Sequence, residues 1–328
     1  MNIARLIVGS NRRGALTHLL SETARVTRTA EELEASIAAL SSAYLEIGIA
    51  PRDAVLIIGG SRVEIAEAIL AAFNVGAVAV PVTPMLGTEH LIAIIERMRP
   101  RLCVFEDPPA PAVLTALSAI DCLVISIRTS ADAAENGWGL YRDLLDRDAG
   151  APTHPDFADD QPALVVHGSG SSGNLKSMLM SHGEVIRFVE YTTLVWSQYL
   201  DGPDLRFRQN PMVVGLPMAH LAGLCLCLQG LFSGRNTYFL GFFQPDVYLR
   251  LIEDARCSAI LLVPSLYRSL LKEPRLQQLD LSALEFCITS GEPCPDDLAS
   301  QVEAAFGAPM ITAYGMSECL SGIGHGRR

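Results

Sequence analysis

Short continuous apolar runs alternate along the chain with longer stretches whose apolar residues recur at helical spacing. Ala54 to Ile58 reads as a buried strand, a brief apolar run behind the turn residues Pro51 to Asp53. Ser61 with Glu64 has capping-box spacing, which predicts a helix running towards Val75 and ending at Gly76. Ala77 to Pro81 is then the next strand. Thr29 with Glu32 repeats the capping-box pattern and predicts a helix through about Leu45, with Gly48 beyond it. Further strands are expected at Leu102 to Phe105, Leu123 to Ile127, Ala163 to His167 and Met212 to Leu216. Later ones are expected at Thr237 to Leu240, Ile260 to Val263, Phe286 to Ile288 and Met310 to Ala313. Helical stretches lie between most of them, as from Pro245 to Ala255 and from Pro295 to Phe306. Two segments break the rhythm: a surface turn at Pro108 to Pro111 and a polar connection from Asp148 to Pro162. Strand–helix alternation of this kind predicts an α/β fold with mostly parallel sheets covered by helices.

The composition narrows the functional classes. With 328 residues, 49% hydrophobic and 19% charged, the chain is globular and long enough for one large domain or two moderate ones. A net charge of −11 argues against nucleic acid as a partner, because no basic stripe is present to neutralise phosphates. The N-terminal MNIARLIVGSNRRGAL puts Arg12 and Arg13 after a short apolar patch, the wrong order for a signal peptide. The most apolar stretches, Ile69 to Val82 and Leu221 to Phe232, are interrupted by Asn74, Pro81 and Gln229. Both fall short of the roughly 18 apolar residues of a membrane span. The eight cysteines are scattered, with only Cys225 and Cys227 close together, so neither a zinc site nor a disulfide framework is expected. A reduced, cytoplasmic setting is the resulting expectation.

The most informative segment is HGSGSSGNLK, His167 to Lys176, directly after the strand expected at Ala163 to His167. Its glycines and serines allow positive-φ turns and close backbone approach, so that consecutive N–H groups can converge on an anion. Serine hydroxyls add donors and Lys176 adds a compact positive charge. That is the equipment for holding a polyphosphate; the alternative is a solvent-facing linker. A Walker A loop requires Gly-Lys-Ser/Thr, whereas Gly173 is followed by Asn174 and Leu175 before Lys176. The nucleophile-elbow pattern G-x-S-x-G of serine hydrolases is absent from the loop.

HGSGSSGNLKSMLMSH resembles the phosphate-binding signature of the adenylate-forming superfamily, which contains acyl-CoA synthetases, luciferases and nonribosomal-peptide adenylation domains. Ser169, Gly170, Ser171, Ser172, Gly173, Lys176, Ser181 and His182 fall on matching positions. The chain departs from the pattern where His167 replaces an aromatic residue, Gly168 a threonine, Leu175 a proline and Ser177 a glycine. Other segments resemble the same family in the same order. Gly48 to Val82 is similar to its early strand–helix–strand region, and GLPMAHLAGL to its Pro-Leu-x-His segment. The latter places His220 at the acyl-substrate end, where an imidazole can orient a carboxylate; a core histidine is the bland alternative. Thr289 to Pro293 resembles the adenine-side turn, implicating Gly291, Glu292 and Pro293; taken alone it is an ordinary turn before a helix. Ala313 to Glu318 resembles Tyr-Gly-x-Thr-Glu. The resemblance implies that Tyr314 stacks on adenine beside Gly315, that Ser317 is a phosphate donor and that Glu318 is a magnesium ligand rather than a solvated surface acid.

The resemblance covers about Leu16 to Glu318 and implies two stacked α/β subdomains with an incomplete β-barrel subdomain. Residues 1–205 are expected to hold the first subdomain region and the phosphate loop, and residues 206–328 the second, with the adenine and magnesium motif. It further implies ATP-dependent activation of a carboxylic acid to an acyl-adenylate, with ATP and Mg²⁺ bound. Coenzyme A or a carrier-protein thiol is the implied acceptor. The neutral and apolar residues around His220 favour a fatty or aryl acid. Catalytic roles fall to Lys176, His220 and Glu318. Only CLSGIGHGRR follows Glu318, so the ribose-binding aspartate, the hinge and the C-terminal cap domain with its lysine find no counterpart in this sequence. Loss of one such charge-stabilising donor typically costs about 10²–10³ in rate, so weak ATP binding and poor turnover are expected of the chain alone. A separate C-terminal domain would then complete the site. The rival reading is a non-catalytic nucleotide- or acyl-binding module, and a third is an inert degenerate fragment.

Overall fold

The computed structural model describes residues 1–8, 14–19, 25–128, 137–146, 153–169, 175–199, 210–316 and 322–327. In chain order the first elements are α1 (Ile3–Val8), β1 (Leu16–Leu19), β2 (Arg25–Arg28), α2 (Ala30–Glu46), β3 (Ala54–Ile58), α3 (Val63–Asn74) and β4 (Val78–Val82). There follow α4 (Thr88–Met98), β5 (Leu102–Phe105), α5 (Pro111–Ser118), β6 (Leu123–Ser126), β7 (Gly139–Leu140), α6 (Tyr141–Leu145), β8 (Pro162–Ser169), β9 (Leu175–Ser181) and α7 (His182–Tyr199). The remainder comprises β10 (Met212–Val214), α8 (Leu221–Phe232), β11 (Thr237–Leu240), α9 (Pro245–Asp254), β12 (Ala259–Leu262), α10 (Pro264–Leu270), β13 (Phe286–Thr289), α11 (Asp296–Phe306), β14 (Met310–Gly315) and β15 (Gly322–Arg327).

The chain divides into two compact units. The first contains Met1–Asn11, Arg28–Arg187 and Met218–Leu221; the second contains Arg12–Thr27, Phe188–Pro217 and Ala222–Arg328. A seven-stranded sheet of order β7-β6-β5-β3-β4-β8-β9 organises the first. Its pairs are parallel except for the closing hairpin of β8 and β9. Every residue of β3 and β4 is buried, as expected for parallel strands covered on both faces. Leu56, Ile58, Val80 and Phe105 form one core with Leu91, Ile94 and Ile95 of α4 and Val113 and Leu117 of α5. Val55 and Ile57, which alternate with them along β3, face the opposite side of the sheet.

The second unit holds two four-stranded sheets, β10-β11-β1-β2 and β12-β13-β14-β15. Its core gathers Tyr248 and Ile252 of α9, Tyr267 of α10, and Val302 and Phe306 of α11 against Ile260, Leu262 and Cys287. The Tyr267 hydroxyl donates to the Ile288 carbonyl at 2.9 Å, tying α10 to the middle of the sheet. None of these sheets closes into a barrel among the described residues. No helix among them is long and apolar enough to cross a membrane.

The Thr29 capping box forms as its spacing predicts, with Glu32 N–H donating to Thr29 Oγ1 at 3.2 Å and Thr29 N–H to Glu32 Oε2 at 2.9 Å. The Ser61 box does not form. Helix α3 starts after Arg62, which caps it without a side-chain bond, and Ser61 Oγ instead accepts the Met218 N–H at 3.1 Å. Glu64 is drawn away by Arg62, whose Nη2 lies 3.1 Å from Glu64 Oε1. Arg62 Nη1 also donates to Glu106 Oε1 at 2.7 Å, and Glu106 Oε2 accepts the Gly60 N–H at 3.0 Å. An ionic node at the carboxyl end of β3 thus outcompetes a local cap.

A second polar node sits inside the first unit. Glu67 of α3 is fully buried, accepting from Arg28 Nε at 3.1 Å and from the Tyr141 hydroxyl at 2.7 Å. Burial raises its pKa, and the Tyr141 bond and Arg28 charge only partly offset that. A carboxyl with a raised folded-state pKa contributes stability that is full below its unfolded value and is lost as pH climbs through the folded one. Glu67→Gln, which cannot titrate, is therefore expected to gain stability relative to wild type between pH 4 and pH 8. Urea midpoints at the two pH values check this; a relative gain by wild type would contradict it.

Candidate functional site

The strand expected at Ala163 to His167 continues to Ser169, and the chain returns at Leu175 in antiparallel register. The pairs are Val166 with Met178, His167 with Ser177, Gly168 with Lys176 and Ser169 with Leu175. Gly170, Ser171, Ser172 and Gly173 lie outside the described residues, but the strand ends that flank them are paired. Lys176 is exposed and stands directly across from Gly168 at the neck of the loop. Because side chains alternate along a strand, Lys176 and Ser177 point to opposite faces of the sheet.

On the Ser177 face a chain of hydrogen bonds crosses the hairpin. Arg97 Nη1, in the last turn of α4, donates to Ser177 Oγ at 3.2 Å. Ser177 Oγ lies 3.1 Å from His167 Nδ1. A guanidinium can only donate, so the serine oxygen accepts from Arg97, and it keeps a second lone pair and its own proton, so its bond to Nδ1 forms with either His167 tautomer. Burial, and secondarily the Arg97 charge, bring the His167 pKa down to about 4, so the ring is neutral at physiological pH.

Ser181 and His182 begin α7. Ser181 and Glu184 form a reciprocal capping box, with Ser181 N–H to Glu184 Oε2 at 2.8 Å and Glu184 N–H to Ser181 Oγ at 3.2 Å. The S-x-x-E spacing carried this signal in the sequence. His182 is fully buried, stacked on Phe157 with ring centroids 5.0 Å apart and edge-on to Phe73 at 6.2 Å. Neither ring nitrogen has a hydrogen-bond partner among the described residues. Burial lowers its pKa to about 4. His182 therefore packs as a neutral aromatic behind the hairpin.

His220 is exposed on the turn before α8, and the protein packed around it draws its pKa below the ordinary histidine value. Met218–Leu221 groups with the first unit, as does Lys176. The bond from Met218 N–H to buried Ser61 anchors this turn.

The remaining expected residues belong to the second unit. Gly291 has φ +84°, a conformation that favours glycine, and so lets the chain turn sharply after β13. Glu292 is engaged with the start of α10: its Oε1 accepts from Ser265 Oγ at 2.9 Å and its Oε2 from Ser265 N–H at 3.3 Å. This carboxylate anchors the turn, and Pro293 follows it in the same irregular segment. Tyr314 is 63% exposed near the end of β14, and a register shift against β15 falls between Tyr314 and Gly315. Such an irregularity re-aims side chains at a strand end and presents an aromatic face to solvent. Ser317 and Glu318 lie outside the described residues.

The second unit also contains an open cleft. Val213, Leu226, Ile260, Phe286 and Ile288 supply apolar wall, while Gln229 and Arg235 add polar groups. Its Phe286 and Ile288 lie on β13, the strand that leads into the Gly291 turn.

Comparison with known proteins shows the family and the fold. A family profile described as AMP-binding enzyme matches residues 10–327. Feruloyl-CoA synthase from an Amycolatopsis species is 28% identical over 298 residues, covering 90% of this chain and 55% of that protein. Indoleacetate–CoA ligase from Aromatoleum aromaticum is 27% identical over 292 residues, covering 88% and 54% respectively. The chain thus spans about half the length of these curated relatives. The inhibitor-bound N-terminal domain of FACL13 from Mycobacterium tuberculosis superposes with a TM-score of 0.81 at 20% identity, over 97% of this chain and 77% of that one. The fold is therefore that of the N-terminal domains of adenylate-forming enzymes.

Two buried neutral histidines give the hairpin region a pH signature. Unfolded, His167 and His182 titrate near 6.5; folded, each stays neutral down to about 4. Their contribution to stability is complete above pH 6.5 and is lost as pH falls towards 4, at up to about 1.4 kcal/mol per histidine per pH unit. His182→Phe keeps the ring stack and removes one titration, so the acid slope of the urea midpoint is expected to be shallower than in wild type. An unchanged slope would contradict the assignment.

Proposed function

Because the chain belongs to the AMP-binding enzyme family, we propose that it forms the ATP- and acid-binding part of a ligase that activates a carboxylic acid as its acyl-adenylate. Acid activation is the chemistry of the acyl-CoA ligases it resembles. The observation that carries the reading is the β8–β9 hairpin, with Lys176 across from Gly168 at the neck of a glycine–serine loop.

In this reading the substrate carboxylate oxygen bonds to the α-phosphorus of ATP in line, the bond to the bridging oxygen breaks, and pyrophosphate leaves. The nucleophile is already an anion, so no general base is needed, and positioning and charge neutralisation provide the catalysis. Lys176, with Ser169, Gly170, Ser171, Ser172 and Gly173, holds the phosphates. Tyr314 stacks on adenine beside Gly315, the backbone of Gly291, Glu292 and Pro293 borders the base, and Ser317 adds a phosphate donor. His220, neutral at physiological pH, orients the acid's carboxylate by hydrogen bonding. No group of three His, Cys, Asp or Glu side chains gathers into a metal site among the described residues. Magnesium bound with ATP needs only one or two carboxylates beside phosphate oxygens and water, a requirement that Glu318 alone meets. When bound, it neutralises charge on the phosphates.

The neutral and apolar residues around His220 support a fatty or aryl acid. In a second half-reaction the sulfur of coenzyme A or a carrier-protein thiol bonds to the acyl carbon and AMP leaves. A separate C-terminal domain or a carrier protein is the partner this chemistry calls for. The substitutions Leu175 and Ser177 in the signature favour one other reading, a module that binds nucleotide or acid without turning it over.

Pyrophosphate release with ferulate, indoleacetate or palmitate and Mg·ATP tests the proposal. The expected result is slow release that depends on the acid, falls about tenfold or more in Lys176→Ala and is absent with glycine as the acid. Binding of ATP without any acid-dependent release would favour the non-catalytic module. Failure of wild type to bind ATP at all would overturn both.

A further inference from the structure

Two of the positions where this chain departs from the phosphate-loop signature, His167 and Ser177, are directly paired across the hairpin and hydrogen-bonded to each other. They are one register step from the Gly168–Lys176 pair. Arg97 completes the chain from α4, an element packed on the sheet through Leu91, Ile94 and Ile95.

Register matters here more than elsewhere in the sheet. A slip of one residue in β9 would turn Lys176 to the opposite face and remove it from the neck of the loop. The apolar pattern of β9 resists such a slip weakly, since of its described side chains only Met180 is buried and Leu179 is exposed. β9 is also the edge strand of the sheet, paired on one side only among the described residues. Specific polar contacts must therefore carry what hydrophobic alternation does not. His167 Nδ1 is satisfied by Ser177 alone among the described residues, and its buried ring would lose that bond in any other register.

We propose that Arg97, Ser177 and His167 form a register pin that holds Lys176 across from Gly168, so that Ser177 and His167 are positioning residues for nucleotide binding. The inference rests on the reading of Lys176 as a phosphate ligand. It also explains the paired departures from the signature: a serine in place of glycine supplies the hydroxyl, and a histidine in place of an aromatic ring supplies the ring nitrogen it bonds.

The test is Mg·ATP binding by calorimetry, together with hydrogen exchange over residues 175–181, in the full chain. Ser177→Ala is expected to weaken ATP binding about fivefold to tenfold, the loss of roughly one part-buried hydrogen bond, and to speed exchange in β9. Ser177→Thr, which keeps the hydroxyl on a β-branched strand former, is expected to restore both to within about twofold. His167→Phe is expected to match Ser177→Ala, and the double variant to be no weaker than either single one, as for groups in one contact. Wild-type affinity and exchange in Ser177→Ala, additive single losses, or no rescue by threonine would each overturn the pin. If Lys176→Ala binds ATP like wild type, the phosphate reading fails instead; exchange in β9 then decides the pin alone, unchanged exchange in Ser177→Ala overturning it.

Discussion

The account depends on the register of one antiparallel strand pair. The parallel part of the first unit's sheet is specified several times over, because β3 and β4 are buried on both faces and each is held between two neighbours. The β8–β9 hairpin has no such redundancy. It lies at the margin of the sheet, its outer strand is half exposed, and it carries Lys176, the lysine proposed to hold the phosphates. Physical specification has to come from a few directional bonds, which is where the Arg97–Ser177–His167 chain acts.

The same division recurs elsewhere in the fold. Apolar burial builds the layers, whereas charged and polar nodes fix the ends of elements. Glu106 gathers Gly60, Arg62 and Arg128 at the carboxyl ends of β3, β5 and β6. The turn it braces offers Ser61 to the segment that carries His220. Glu292 holds the Gly291 turn to α10. Glu67 joins Arg28, Tyr141 and α3 inside the first unit. Removing one member of such a node strands a buried partner, so the cost exceeds that of the bond itself.

Much of the layer structure was legible in the sequence. The strands at Ala54–Ile58, Leu102–Phe105 and Thr237–Leu240 fall where their apolar runs place them. Their signal is local: a short run bounded by turn residues. β1 and β2 escaped the same reading because nothing local marks them; Leu16–Leu19 becomes a strand by pairing with Thr237–Leu240, far away in sequence. β9 was masked by its own motif, since an exposed edge strand carries little alternation. The Ser61 box failed for a related reason, in that a spacing rule does not see Arg62 and Glu106 competing for the same groups. The strand that leads into the glycine–serine segment was legible as an apolar run, whereas the contact between His167 and Ser177 required the register.

A structure of the chain with Mg²⁺ and a non-hydrolysable ATP analogue tests the central claim most directly. The account predicts the triphosphate seated against residues 169–176, with Lys176 Nζ on its oxygens and Glu318 approaching the same phosphates through the metal. A nucleotide bound elsewhere, or Lys176 and Glu318 too far apart to share one triphosphate, would contradict it.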